Sequence, residues 1–168
     1  MREFTLVQDI AGTVDDHWRA FFDPAFEKAI VVAMKFRSYE VIERTETETS
    51  IHQKTRAVPR LDAAATVAKV FGASFGYLEE GTFDRATRVW CVRTIPDTFA
   101  DRMAADMVMK VEPAGAASRR TLAFRLEARV RGIGGMVESG FEKNLRTGWR
   151  DSAAFLNDWL RAHPAPAS

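Results

Sequence analysis

The chain opens with an alternation of period two. Phe4, Leu6, Gln8 and Ile10 fall on one side of "REFTLVQDI", and Glu3, Thr5, Val7 and Asp9 on the other, which predicts a first strand. Gly12 breaks it. Thr13 has the type and place of a helix N-cap, with Asp16 three residues on as an acidic capping partner. In "VDDHWRAFFD" the positions of Val14, Trp18, Phe21 and Phe22 give a short helix one apolar side. Asp23-Pro24 ends it, and proline at a first helical position suits a restart through "AFEKAIVVAM".

From about residue 36 the period returns to two. "FRSYEVIERTETET" and "SIHQKTRAVPR" predict two antiparallel strands with one wet face. "LDAAATVAKVFG" interrupts them as a short helix or loop insertion. Strand-like segments follow in "SFGYLEEGTFDR", "RVWCVRTIP", "RMAADMVMKVEP" and "SRRTLAFRLEARVRG", joined by polar turns such as "DRAT" and "PAGAAS". The last alternates most clearly: Leu122, Phe124, Leu126, Ala128 and Val130 oppose Thr121, Ala123, Arg125, Glu127, Arg129 and Arg131. For residues 74–95 the alternation does not say which face turns inward.

After Gly132, Gly134 and Gly135, which let the chain turn off the last strand, the pattern becomes helical through Leu160. At about 100° per residue, Val137, Phe141, Leu145, Phe155, Leu156 and Trp159 fall within about 60° of one direction. Gly148 and Ser152 fall in the middle of that face, and glycine costs a helix about 1 kcal/mol relative to alanine. The apolar face therefore carries a notch halfway along. Interiors tolerate few voids, so either a close neighbour or a ligand is expected to fill it.

The composition removes several function classes. With 168 residues, 46% apolar and 28% charged, the chain can form one domain over residues 1–162, followed by a disordered "HPAPAS" tail at 163–168. A formal net charge of +1 gives no global field for nucleic acid, and the arginines of "SRR" and "RVRG" alternate as on a wet strand face. The single cysteine, Cys91, rules out an internal disulfide or a cysteine-based zinc site and suits a cytoplasmic setting; it is expected to be a small core residue. There is no HExxH, no G-x-S-x-G, no signal-peptide pattern and no apolar run of spanning length. No metal and no cofactor is expected.

One strand, two short helices, an antiparallel run and a long final helix resembles the helix-grip order of the START-like (SRPBCC, Bet v 1-like) superfamily. That superfamily includes the birch pollen allergen, polyketide cyclases and sterol or phospholipid transfer domains. "TVDDHWRAFFDPAFEKAI" is similar to the family's opening helix pair, and "GGMVESGFEKNLRTGWRDSAAFLNDWL" to its closing helix, most closely in the sterol-binding VASt branch. The chain resembles a bacterial branch of this superfamily. The resemblance implies an α+β fold in which a curved antiparallel sheet of about seven strands wraps the long helix and leaves an apolar pocket between them.

Residues expected to line that pocket are Phe75, Tyr77, Trp90, Met103, Met107, Met109, Phe124, Leu126, Phe141, Leu145, Gly148 and Ser152. The three methionines alternate along one strand face and suit an adaptable wall. The expected partner is a hydrophobic small molecule or a lipid, bound and in a transfer protein carried, with no nucleic acid. Val67, Val70 and Phe71 are expected to pack on the sheet edge, with transient membrane contact as the alternative. The second functional expectation is a polyketide cyclase or dehydratase working on one acid or base. Its candidates, Glu79, Asp106 and His52, are weak, because Glu79 and Asp106, like Arg93, are each expected on an exposed strand face and His52 stands on a charge-rich strand. His17 is expected to be solvated or to cap its helix.

Overall fold

The structure is a computed structural model that describes residues 1–59 and 75–165. Residues 60–74, with the "LDAAATVAKVFG" insertion and its Val67, Val70 and Phe71, and the last residues of the tail, 166–168, lie outside the described residues.

Strand β1 (Arg2–Ile10) leads into α1 (Val14–Phe21), α2 (Pro24–Ala33), β2 (Ser38–Glu46), β3 (Ser50–Val58), β4 (Tyr77–Asp84), β5 (Val89–Pro96), β6 (Met103–Ala114), β7 (Ala117–Ala128) and α3 (Gly134–Ala162). The strands form one antiparallel sheet in the order β1-β7-β6-β5-β4-β3-β2. This is the helix-grip fold, with two short helices after the first strand and a long helix laid across the sheet.

Local chemistry accounts for the helix boundaries. Thr13 accepts from the Asp16 amide while the Asp16 carboxylate accepts from the Thr13 amide, a complete capping box. Asp23 caps α2 by accepting from the Ala25 amide, with Pro24 at the first helical position. Gly132 takes φ +82 between β7 and α3. At Gly134 a side chain would run into the Ala128 carbonyl, so the start of α3 presses on the end of β7.

The register organises the inner face into rows. Arg2, Leu126, Ala105, Thr94, Glu79 and Thr55 stand side by side across six strands, and Phe4, Phe124, Met107, Val92, Gly81 and Gln53 form the next row. Leu6, Leu122, Met109, Trp90, Phe83 and Ile51 form a third, and Gln8, Arg120 and Val111 lie one row further on.

The third row is closed. Trp90 packs edge-to-face against Phe21 at 5.4 Å and Phe22 at 5.9 Å, and Trp18 meets Phe83 at 4.6 Å. The Trp90 indole lies over Gly81, where any β-carbon would collide with the ring. Met109 is fully buried in the same cluster. Two expected pocket residues, Trp90 and Met109, are therefore core, because the aromatic side of α1 fills the space above them.

Gly148 and Ser152 also lie away from the pocket. A β-carbon on Gly148 would point at the Met34 methyl group, 3.7 Å away, at the end of α2. Ser152 is buried, and Ala153, Leu156 and Leu160 beside it pack with Ile10, Ala20 and Phe26. The notch is the crossing point of α3 and α2. Cys91 is exposed rather than core, since Trp90 and Val92 turn inward on either side of it.

Two substitutions test this packing. Gly148→Ala meets only ordinary contact and should stabilise the protein by about 0.5–1 kcal/mol, read as a higher urea midpoint. Gly81→Ala should cost about 2 kcal/mol or more in the same measurement, because the Trp90 ring must leave its seat.

Candidate functional site

Over the first row and the edge of the second, a space is left between the sheet and α3. The β5–β6 ladder ends at Thr94 and Ala105, whereas β4–β5 pairing continues to Tyr77 and Pro96 and β6–β7 pairing to Met103 and Ala128. At this opening in the sheet lies a partly open cavity of about 120 Å³. Its floor is Tyr77, Glu79, Val92, Thr94, Pro96, Met103, Ala105, Met107, Phe124 and Leu126, and Phe75 closes one side. Its roof is Glu138, Phe141, Leu145 and Trp149, spaced so that one face of α3 carries all four.

Of the expected pocket residues, the structure brings together Phe75, Tyr77, Met103, Met107, Phe124, Leu126, Phe141 and Leu145 around this space. Val92, Thr94, Pro96, Ala105, Glu138 and Trp149 join them, none singled out by sequence. Glu138 is committed to structure: its Oε1 accepts the Ala128 amide at 2.9 Å and helps hold α3 on β7.

The polar candidates separate cleanly. Glu79 faces into the cavity instead of solvent, because it shares its parity with Tyr77, Gly81 and Phe83 on the inner face. Glu79 shares its parity with Phe75 and Tyr77, both expected in the pocket wall, although the alternation over residues 74–95 does not by itself say which face turns inward. Burial pushes the Glu79 carboxyl up to about 7. Tyr77 and Tyr39 are raised by burial and then by the Glu79 charge, while a hydrogen bond with Thr55 works the other way on Tyr39. Glu79, the two tyrosines, Thr55 and Thr94 thus make one polar corner in an apolar wall.

Asp106 borders the cavity, but its register partners Arg93 and Arg125 share the outer face of the sheet, so it is not a second inward acid. His52 is exposed on the outer face, with Nε2 3.0 Å from Ser50 Oγ and Nδ1 3.1 Å from Thr82 Oγ1. His17 is fully buried, contrary to expectation, and burial, then the Arg120 and Arg88 charges, hold it far below the usual histidine range. Among the described residues no group of three His, Cys, Asp or Glu side chains could hold a metal ion, and no helix is long and apolar enough to cross a membrane.

The Glu79 shift has a definite pH signature. An unfolded glutamate loses its proton near 4.5, the folded one near 7, so between these values the folded state binds more protons and stability falls as pH rises. Glu79→Gln removes that slope. Its stability relative to wild type should climb by on the order of 2 kcal/mol from pH 4.5 to 8, measured by urea denaturation. The His17 effect, a loss of stability as pH falls below about 6.5, is common to both proteins and cancels in the difference.

Comparison with known proteins places the chain. None of the curated proteins matches it in sequence. Among solved structures it is similar to norcoclaurine synthase from Thalictrum flavum, with a TM-score of 0.69 at 16% identity over 98% of this chain and 89% of that one. It is similar to the Zhui aromatase/cyclase from Streptomyces sp. R1128, at 0.66 and 13% identity over 99% of both chains. A START superfamily protein from Mycobacterium smegmatis matches at 0.59 and 10% identity, over 95% of this chain and 97% of that one. At these identities the likeness shows the fold, which is START-like. Residues 5–160 match the family described as "Protein of unknown function (DUF2505)", and the chain belongs to that family.

Proposed function

We propose that this protein binds a small hydrophobic molecule in the cavity between its sheet and the first half of α3. One observation carries the reading: beside a tightly closed third row, an apolar space remains over Ala105 and Thr94 between the sheet and α3, although larger residues at those two positions would fill it. The apolar lining of this partly open space of about 120 Å³ is surface that a bound molecule would cover. Its size is that of a ring or a short chain; a cavity of about 150 Å³ accommodates benzene. A longer acyl chain would extend through the open side of the cavity. The fold agrees with the reading, since proteins of this architecture include ligand-binding and cyclase members.

A second reading is favoured by Glu79. A lone carboxyl facing an apolar cavity and titrating near 7 is suited to take or give a proton on a bound substrate, as an aromatase, cyclase or dehydratase requires. The two readings share a site and differ in what Glu79 does there. Turnover abolished by Glu79→Gln with binding retained would establish the catalytic version.

Occupancy is tested by native mass spectrometry of the purified protein before and after extraction with organic solvent, followed by titration with the recovered compound. Ala105→Trp projects an indole into the cavity from β6. It should weaken binding at least tenfold while circular dichroism stays unchanged, and binding undiminished in this variant would place the ligand elsewhere.

A further inference from the structure

One row beyond the closed row, on β7, stands Arg120. It is 2% exposed, with its Nε donating to Gln8 Oε1 at 2.8 Å. Its guanidinium carbon lies 5.1 Å from the centre of the Trp149 ring. Its Nη2 is buried without a hydrogen-bond partner, and among the described residues no carboxylate pairs with it. A guanidinium taken out of water and left uncompensated is among the costliest groups a core can hold.

The neighbourhood adds no negative charge. Both ring nitrogens of the buried His17 are also unpartnered, and that ring is held neutral partly by the Arg120 charge itself. Arg88, the other charge acting on His17, is occupied with Asp15 at the surface. Burial alone draws Arg120 down to about 9, so the side chain remains a cation at neutral pH.

Trp149 joins this cation to the cavity. One side of the residue lines the cavity beside Phe124, and the other covers Arg120. Its backbone carbonyl accepts from Gln8 Nε2 at 2.7 Å, which fixes the helix here. The indole packs against the core and screens Arg120 from the cavity, so a ligand group reaches the guanidinium only when the indole changes rotamer. Glu79 stands on β4, across the sheet from Arg120 on β7. An anionic ligand group would be repelled at the Glu79 side and attracted at the Arg120 side.

We propose that Arg120 is the anchor for a carboxylate, and that the ligand is a compact apolar acid whose ring or chain fills the cavity while its carboxylate passes Trp149 to reach the unpartnered Nη2. The proposal rests on the cavity being a binding site. It adds the chemical class of the ligand and its direction. Arg120 is kept despite its cost because a planar fork of N–H donors recognises a carboxylate better than any other side chain.

The test uses 4-phenylbutyrate, whose ring matches the cavity and whose arm carries a carboxylate, against its methyl ester and against acetate. Affinities are measured at pH 7 by calorimetry on the full chain. Wild type should bind the acid at least tenfold more tightly than the ester, and acetate at least a hundredfold more weakly than the acid. Arg120→Met should bring the acid down to the level of the ester and leave the ester unchanged. Arg120→Lys, which keeps the charge without the fork, should retain a smaller preference and covers the case in which Arg120→Met fails to fold. Equal binding of acid and ester by wild type, or a preference that survives Arg120→Met, overturns the anchor alone. Acetate binding as tightly as the acid makes this a free-anion site and overturns the ligand class. Failure of both acid and ester to bind overturns the anchor together with the cavity reading.

Discussion

The seat of the Trp90 indole on the bare α-carbon of Gly81 divides the inner face of this protein in two. On one side of that contact, α1 brings Trp18, Phe21 and Phe22 down onto Phe83, Ile51, Met109 and Leu122, and the rows interlock. On the other, the side chains shorten to Ala105 and Thr94, the β5–β6 ladder stops, and among the described helices α3 alone covers this part of the sheet. The sheet has one inner face and two helical layers competing for it. Where α1 ends, nothing among the described residues replaces its bulk. The cavity is a consequence of how far the aromatic cluster reaches.

The same division sorts the buried polar groups. Exposed ion pairs such as Arg85 with Glu46 and Arg161 with Asp158 contribute little, and each stands in water. Among the described residues, the inner face instead holds a carboxyl without a cation, Glu79, and a cation without a carboxylate, Arg120. Each lies at a margin of the void or behind its wall, and neither is neutralised by the other. Core positions filled for stability alone would take apolar residues of similar size. Groups of opposite sign flanking an apolar space are what the proposed polar-ended ligand would complement.

The long helix shows why a correct pattern led to a wrong position. The helical wheel placed Gly148 and Ser152 at the centre of the buried face of α3, and both are turned to neighbouring chain. A wheel gives an angle and says nothing of what lies opposite at each height. Over 29 residues, α3 passes first over the sheet and cavity and then over α2, so the notch that looked like a pocket receives Met34. The strands carry the complementary case. Parity alone groups Glu79 with Tyr77 and Phe83, and Arg120 with Leu122 and Phe124, yet charge suggested an outward position for Glu79 and a wet face for the arginines of "SRR", of which Arg120 is in fact buried. Period-two geometry prevailed over side-chain polarity, because turning one residue outward would turn its whole strand.

The amino-acid sequence by itself determined the order of elements, the caps of α1 and α2, the antiparallel architecture and most of the apolar cavity wall. These follow from interactions a few residues apart and from periodicity, both of which survive in a linear string. Only the tertiary structure decided that Trp90 and Met109 close a core, that Met34 fills the notch, and that Trp149 stands between the cavity and Arg120. Those outcomes depend on which segments meet in space, far along the chain from one another as Met34 and Gly148 are, and no local spacing encodes the distance between them.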